Sequence, residues 1–464
     1  MKQYIIQYKV LQVICAALLL LQVQCERFVE VDDPTNQISQ TTVFKDKATA
    51  FAALADIYAG LRDSSVLDGS ISGSHFLTAC YTDDLSTVSS QQTGFRTFYD
   101  LTLQSSTPDI DYLWVSAYKN IYAANNILEG AGNSSAFLDE TTRNTLTGES
   151  LAIRALLHLY LTGLFGEVPY VESTDYRINQ SISKNTQAEI MDRIKRDLRQ
   201  AENLLSDSNT ATDKTRLGRS AVRLLLARVF LYDQKYNDAR TYASLVIQNP
   251  EYHIEQDPEK VFLKESSGTL WHFAPVEPGA NTIEGQTYII MDTPPPYAFL
   301  TEDLLNSFEP GDLRRTKWTK SIAAGSATFT FPYKYREFSK TPASLEYAVM
   351  LRIEEAYLIA AEAENSLGNT LGALQKLRPV RERAGLTTPT SASQTVIKQM
   401  ITEEHRHEFF TEGCHRFLDL KRWGMLDQTV SVLKPQWQHY MQNWLIPRRE
   451  LLVNPNLNPQ NDGY

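Results

Sequence analysis

A mainly α fold, made of tetratricopeptide-like helix pairs and carrying a large loop-rich insertion with short strands, is what the sequence predicts. Three observations predict it. Ala221, Leu225, Ala227 and Phe230, then Tyr236, Ala239, Ala243 and Pro250, follow the spacing of a repeat of about 34 residues whose two helices meet at small side chains. Ala356, Ala360, Ala363, Leu367-Gly368 and Ala373 give a second, looser copy. Between the copies, Glu251 to Tyr347 holds Pro294-Pro295-Pro296, scattered glycines and the β-leaning stretch Thr328 to Tyr335. A helix pair with one apolar face cannot stand alone, so such pairs stack into a curved scaffold. Copies this far apart frame an insertion.

The amino end sets the compartment. Lys2 and Lys9 precede an apolar run from Val10 to Leu21, interrupted only by Gln12. Twelve residues are too few for a membrane-spanning helix, which needs about 20, and suit a secretory leader over residues 1–24. Cys25 follows at the position where bacterial lipoproteins are cut and acylated, with Val23 and Gln24 in place of the usual small residues. Two or more acyl chains on one residue give stable membrane attachment. Cys25 is therefore the expected lipid-attachment residue, and plain secretion is the alternative. Cys80 and Cys414 then remain, too few for a disulfide framework. The formal charge is −10; the leader takes away Lys2 and Lys9 and no acid, so the remainder carries −12. With no basic cluster, a nucleic-acid partner is not expected.

Residues 26–45 read as a polar tether and Lys47 to Leu61 as a helix, with Phe51, Leu54, Ala55 and Tyr58 on one face. Residues 62–110, rich in Ser, Thr, Gly and Asp, read as long loops. Trp114, Tyr118, Ile121, Tyr122 and Asn125 follow on a helix. The apolar helix from Glu149 ends at Gly166, before Pro169. Thr186 and Glu189 have capping-box spacing and open a helix striped by Ile190, Ile194, Leu198, Ala201 and Leu205. Further pairs are expected at 114–165 and 395–424.

The densest stretch is Ile401 to Gly424. Glu403, Glu404, Glu408 and Glu412 crowd its first half; Arg416, Lys421 and Arg422 crowd its second. Acid early and base late suits the helix dipole, and Gly413 predicts a break or a close backbone contact. Glu408 to Gly413, then Arg416-Phe417-Leu418-Asp419-Leu420-Lys421-Arg422-Trp423-Gly424, resembles the signature of the SusD/RagB family of nutrient-capturing surface lipoproteins. The resemblance extends to the acidic run after Cys25, to Trp114 through Asn125, to Glu149 through Pro169, to Phe308 with Asp312-Leu313-Arg314, and to the tail from Pro447 to Tyr464. It implies a SusD-like fold over residues 25–464: helices over about 26–250, the insertion over about 251–347, and helices with the tail over about 348–464. It also implies lipid anchoring at the outer membrane facing outwards, a SusC-like TonB-dependent transporter as partner, and glycan, or in some relatives peptide, as cargo.

Chemistry points to binding and not to catalysis. His407-Glu408 starts a zinc-protease motif, but Thr411 stands where its second histidine belongs. His405, His407, Cys414 and His415 contain metal-ligand types, although histidines in a charged helix more often sit at its surface, so no metal and no cofactor are expected. Gly69-Ser70-Ile71-Ser72-Gly73 has the wrong centre for a nucleophile elbow, and phosphate and dinucleotide loops are missing. Saccharides need flat aromatic faces with amides and carboxylates beside them. Two loop regions offer such sets: Tyr81, Asp83, Asp84 and Phe95, and the insertion's Trp271, Tyr288, Tyr297 and Trp318. These are the expected ligand contacts, each weighed against a core role. The expected function is capture of oligosaccharide for the transporter. A peptide-binding relative, a surface glycan hydrolase and a plain tetratricopeptide adaptor are the alternatives.

Overall fold

The computed structural model describes residues 43–90, 94–206 and 213–464. The leader, Cys25 and most of the tether therefore lie outside the described residues.

Helices dominate the amino half: α1 (Lys47–Asp63), α2 (Ser74–Tyr81), α3 (Gly94–Tyr99), α4 (Pro108–Gly132), α5 (Glu140–Phe165), α6 (Tyr176–Asn179), α7 (Gln187–Leu204), α8 (Arg219–Tyr232) and α9 (Tyr236–Ile247), with β1 (Leu85–Ser86) after α2. The next hundred residues hold β2 (Thr269–Phe273), α10 (Ile283–Tyr288), β3 (Phe299–Leu300), α11 (Glu302–Ser307), α12 (Leu313–Lys317), β4 (Thr319–Ala324), β5 (Ala327–Pro332) and β6 (Ala348–Arg352). The carboxyl part is helical again: α13 (Ile353–Ser366), α14 (Thr370–Arg383), α15 (Gln394–Phe409), α16 (His415–Arg422), α17 (Leu426–Leu433) and α18 (Arg448–Val453). The strands form three antiparallel pairs, β1 with β3, β2 with β6 and β4 with β5.

The helices stack as the small-residue spacing requires. α5 packs between α4 and α7, α8 pairs with α9, and α9 lies on α13, which in turn packs on α14 and α15. Ala221, Ala239, Ala243, Ala356, Ala360 and Ala373 are all buried where these helices meet. Because α9 touches α13 directly, the two repeat copies are neighbours in space and the intervening hundred residues bulge to one side. Thr186 and Glu189 make the reciprocal capping box. Trp114 packs edge-on against Phe165, with ring centres 5.2 Å apart. Asn125 bridges α4 to its surroundings, donating to the Val171 carbonyl at 3.0 Å and accepting from Arg154 at 2.8 Å, which offsets its poor helix propensity.

Residues 62–110 correct the reading as long loops. They contain α2 and α3, and every residue of α2 is buried. The run His75-Phe76-Leu77-Thr78-Ala79-Cys80-Tyr81 is too short and too evenly buried to show a helical period. The break expected at Gly413 is present and wider than one residue. Thr411, Gly413 and Cys414 all have positive φ, at 59, 52 and 59°. For a β-branched threonine that conformation is strained, so the surroundings must hold it.

Candidate binding site

The charged signature lies inside the protein. Glu408 and Glu404 on α15 are fully buried and face Arg314 of α12, Arg352 at the end of β6, and Arg381 and Arg383 of α14. Burial alone would raise the Glu408 pKa, but Arg383, Arg352 and Arg314 together hold it far below the usual carboxylate range. Lys334 closes the cluster, donating to the carbonyls of Glu408 and Phe410 at 2.9 and 2.8 Å and to Glu412. Arg383 and Lys334 also stand over the face of Trp318, 4.7 and 5.0 Å from its centre. This cluster pins the insertion to the helical stack.

Tyr81, Asp83 and Asp84 belong to a second pin. Asp83 accepts from Arg416 at 2.8 and 2.6 Å and pairs with Arg406 at 2.8 Å. Asp84 accepts the Thr411 backbone N–H at 3.2 Å. Burial pushes both acids up. The two guanidiniums reverse this at Asp83, whereas the neighbouring Asp83 charge raises Asp84 further. The strained Thr411 turn is thus held by Asp84.

Between the end of α1 and the start of α10 a cleft opens, with a volume of about 210 Å³. Arg62, Asp63, Gly69 and Phe273 form one side, Val276 to Gln286 the other, and Ser339 and Lys340 its edge. Thr282 caps α10 by accepting from Gly285 N–H, which fixes the direction in which Glu284 leaves the backbone. Asn281 holds the rim together, donating to Ser339 O and Thr341 Oγ1 and accepting from the N–H groups of Leu345 and Glu346. Glu284 is only 6% exposed. It also lines a smaller inner chamber with His75, Tyr288, Lys334, Tyr335 and Glu412. Burial pushes its pKa up to about 7, and the charges of Asp68 and Glu346 add to the rise. In the chamber wall, burial lowers His75 to about 4.

Two family models match the chain. One, described as starch-binding and associating with the outer membrane, covers residues 8–231, and the SusD family model covers residues 312–444. The chain belongs to the SusD/RagB family. SusD-like protein P2 of Formosa agariphila is 25% identical over 523 aligned residues, spanning the whole of both chains. The fold is that of a SusD superfamily protein from Bacteroides vulgatus, at TM-score 0.76 and 19% identity, covering 91% of this chain and 100% of that one. A laminarin-binding SusD-like protein matches at TM-score 0.75 and 22% identity, covering 90% of this chain and 99% of that one.

Within this SusD-like chain the expected ligand contacts are placed elsewhere than on a binding face. Tyr81, Asp83, Asp84, Phe95, Trp271, Tyr288 and Trp318 are all buried, and Tyr297 is half-buried. Tyr81 donates to Met441 O at 3.0 Å, and Trp318 Nε1 donates to Pro258 O at 2.8 Å. Phe95 lies edge-on to Phe76 and Tyr297. Trp271 lies edge-on to Tyr58 and Phe273. Tyr288 donates to Thr411 O at 3.3 Å, supporting the strained turn. The buried members of this set have packing and hydrogen-bond roles in the framework, whereas Tyr297 keeps part of its surface open and Tyr288 lines the inner chamber. The reason is physical: in a chain this large, aromatics supply the area that joins loops to helices.

Sequence reasoning missed Glu284 and Phe338. Phe338 is 40% exposed and immediately precedes the cleft residues Ser339 and Lys340. No periodicity marks it. Glu284 is one acid among many in the sequence, and no motif or spacing marks it. The metal-ligand residues scatter in part. His407 meets Ser307 at 2.9 Å and Cys414 meets Ser74, while His405, His415 and Asp419 come together with ligand atoms within 4.8 Å of one another. Asp419 already pairs with His405 at 3.0 Å and with Arg422 at 2.7 Å. Among the described residues, no helix is long and apolar enough to cross a membrane.

Proposed function

We propose that the protein is an outer-membrane lipoprotein, acylated at Cys25 and facing outwards, that captures oligosaccharide in the cleft beside α10 and passes it to a SusC-like TonB-dependent transporter. The observation that carries this is the cleft itself. It is concave and of mixed polarity, and it lies where the bulging insertion meets the α1 end of the stack. The family and the laminarin-binding relative support saccharide over peptide as cargo. Neither matching family model is a catalytic one, which favours binding over hydrolysis.

Calorimetry of the purified protein against an oligosaccharide panel and a peptide pool tests the cargo. Saccharide heat that Phe338→Ala and Gln286→Ala both diminish is the expected result. Heat with peptides alone, or release of reducing sugar, would overturn it. Mass spectrometry of protein taken from membranes should find acyl chains on an amino-terminal Cys25. Co-purification from membranes with a TonB-dependent barrel tests the partner.

A further inference from the structure

We propose that the cleft selects an uncharged saccharide against acidic ones, and that Glu284 in its floor is the residue that sets this choice. This rests on the cleft being the saccharide site. The cations at its edge are already committed. Arg62 is held by Asp63 on two nitrogens and by the Ala274 carbonyl at 3.1 Å. Lys340 pairs with Glu277 at 2.5 Å. A carboxylate or sulfate on the ligand would share these cations with the acids that already hold them, which weakens the attraction each can offer.

Glu284 differs from them. Its carboxylate takes a hydrogen bond from its own backbone N–H, and no other donor reaches it among the described residues. Gly69 explains its position. A Cβ there would fall 2.3 Å from Glu284 Cδ, so the carboxyl occupies the space that a side chain on residue 69 would fill. The groups facing it come from every packed element. Asp68, bonded to Tyr112, and Glu346, holding the Arg336 and Glu337 N–H groups, are both acidic. Tyr288 and Tyr335 are neutral. On the chamber side stand His75, Glu412 and Lys334, and Lys334 is bound to Glu412 and two carbonyls.

An arriving anion therefore meets a floor of acids and, among the described residues, edge cations that already have acidic partners. A neutral hydroxyl meets a carboxyl that donates when protonated and accepts when ionised. Burial places that change of state near neutral pH. A ligand that covers the cleft removes more water from Glu284 and favours its protonated form, so neutral-saccharide affinity should fall as pH rises through about 7.

Calorimetry on the purified protein, with neutral glucan oligosaccharides beside uronate oligosaccharides at about pH 6 and about pH 8, tests this. Neutral ligands should bind at least about tenfold more tightly than acidic ones, and about three- to tenfold more tightly at the lower pH. Glu284→Gln should flatten the pH dependence and narrow the gap between the two classes. Gly69→Ala, which displaces the carboxyl without removing it, should weaken neutral binding. Equal or tighter binding of uronates, or a pH slope that persists in Glu284→Gln, overturns the charge selection and leaves the saccharide cleft standing. Failure of both classes to bind removes the cleft reading and this one with it.

Discussion

Glu408 and Glu284 are both buried glutamates, yet their surroundings are opposite. Three guanidiniums converge on Glu408 and hold it ionised. Around Glu284 the neighbouring charges are acidic, and its pKa is pushed up to about 7 by burial and by Asp68 and Glu346. Desolvation acts on both in the same direction, so the partners decide the outcome. A buried acid saturated by arginine has nothing left for a ligand and serves as framework. A buried acid left with its own N–H, at the floor of a cleft, is free to meet one.

The sharpest way to break this contrast is to remove Glu408. Glu408→Ala leaves Arg314, Arg352 and Arg383 buried and short of a partner, which should cost about 3–5 kcal/mol or more. Denaturant unfolding measures it, and a loss under about 1 kcal/mol would show that the cluster is hydrated and not structural. Trp271→Ala follows, at about 3–5 kcal/mol for an aromatic removed from a packed core. Ligand affinity of the fraction that stays folded should be unchanged, and a selective loss of affinity would restore Trp271 as a contact.

Asp83→Asn comes next, at about 3 kcal/mol for breaking the pairs with Arg416 and Arg406. The sign with pH follows from the lowered pKa. Asp83 contributes its full stability above the ordinary carboxylate pKa and loses it as pH falls below about 4, so wild type and variant should converge in acid. Glu284→Gln should do the reverse. A raised acid pKa costs nothing below the ordinary value near 4.5, and the penalty grows as pH rises to about 7 and is complete beyond it. The variant should therefore match wild type at about pH 4 and be more stable by about 2–3 kcal/mol at about pH 8. Thermal melts across that range would show it.

Much of the framework was legible because it is periodic. The small residues at 221–243 and 356–373 meet where their spacing requires, and Thr186 with Glu189 caps α7. The signature at 401–424 identified the family, but its role as a buried charge cluster depends on Arg314 and Arg352, which lie far away in sequence. The site was hardly legible. Tyr81, Trp271 and Trp318 look in sequence as a saccharide platform would, and burial alone tells the two apart. What makes Glu284 unusual is the lack of a partner, which only the packing of Gly69, Asp68 and Glu346 around it reveals.

Phe338 gives the smallest stability effect and the finest test. It is 40% exposed, so Phe338→Ala should change unfolding free energy by no more than about 0.5 kcal/mol, as for surface sites away from special features. Phe338 immediately precedes the cleft-edge residues Ser339 and Lys340 in the chain and is exposed, which the buried aromatics are not. Packing against the apolar face of a sugar ring, it should supply about 1 kcal/mol of binding, so its loss should weaken saccharide affinity about fivefold. That pattern, affinity moving while stability stays still, is the mirror image of Trp271→Ala. If Phe338→Ala left calorimetric affinity untouched, the ring would lie outside the contact, and recognition would fall to the lining itself, to apolar Val276 and polar Gln286 and Glu284.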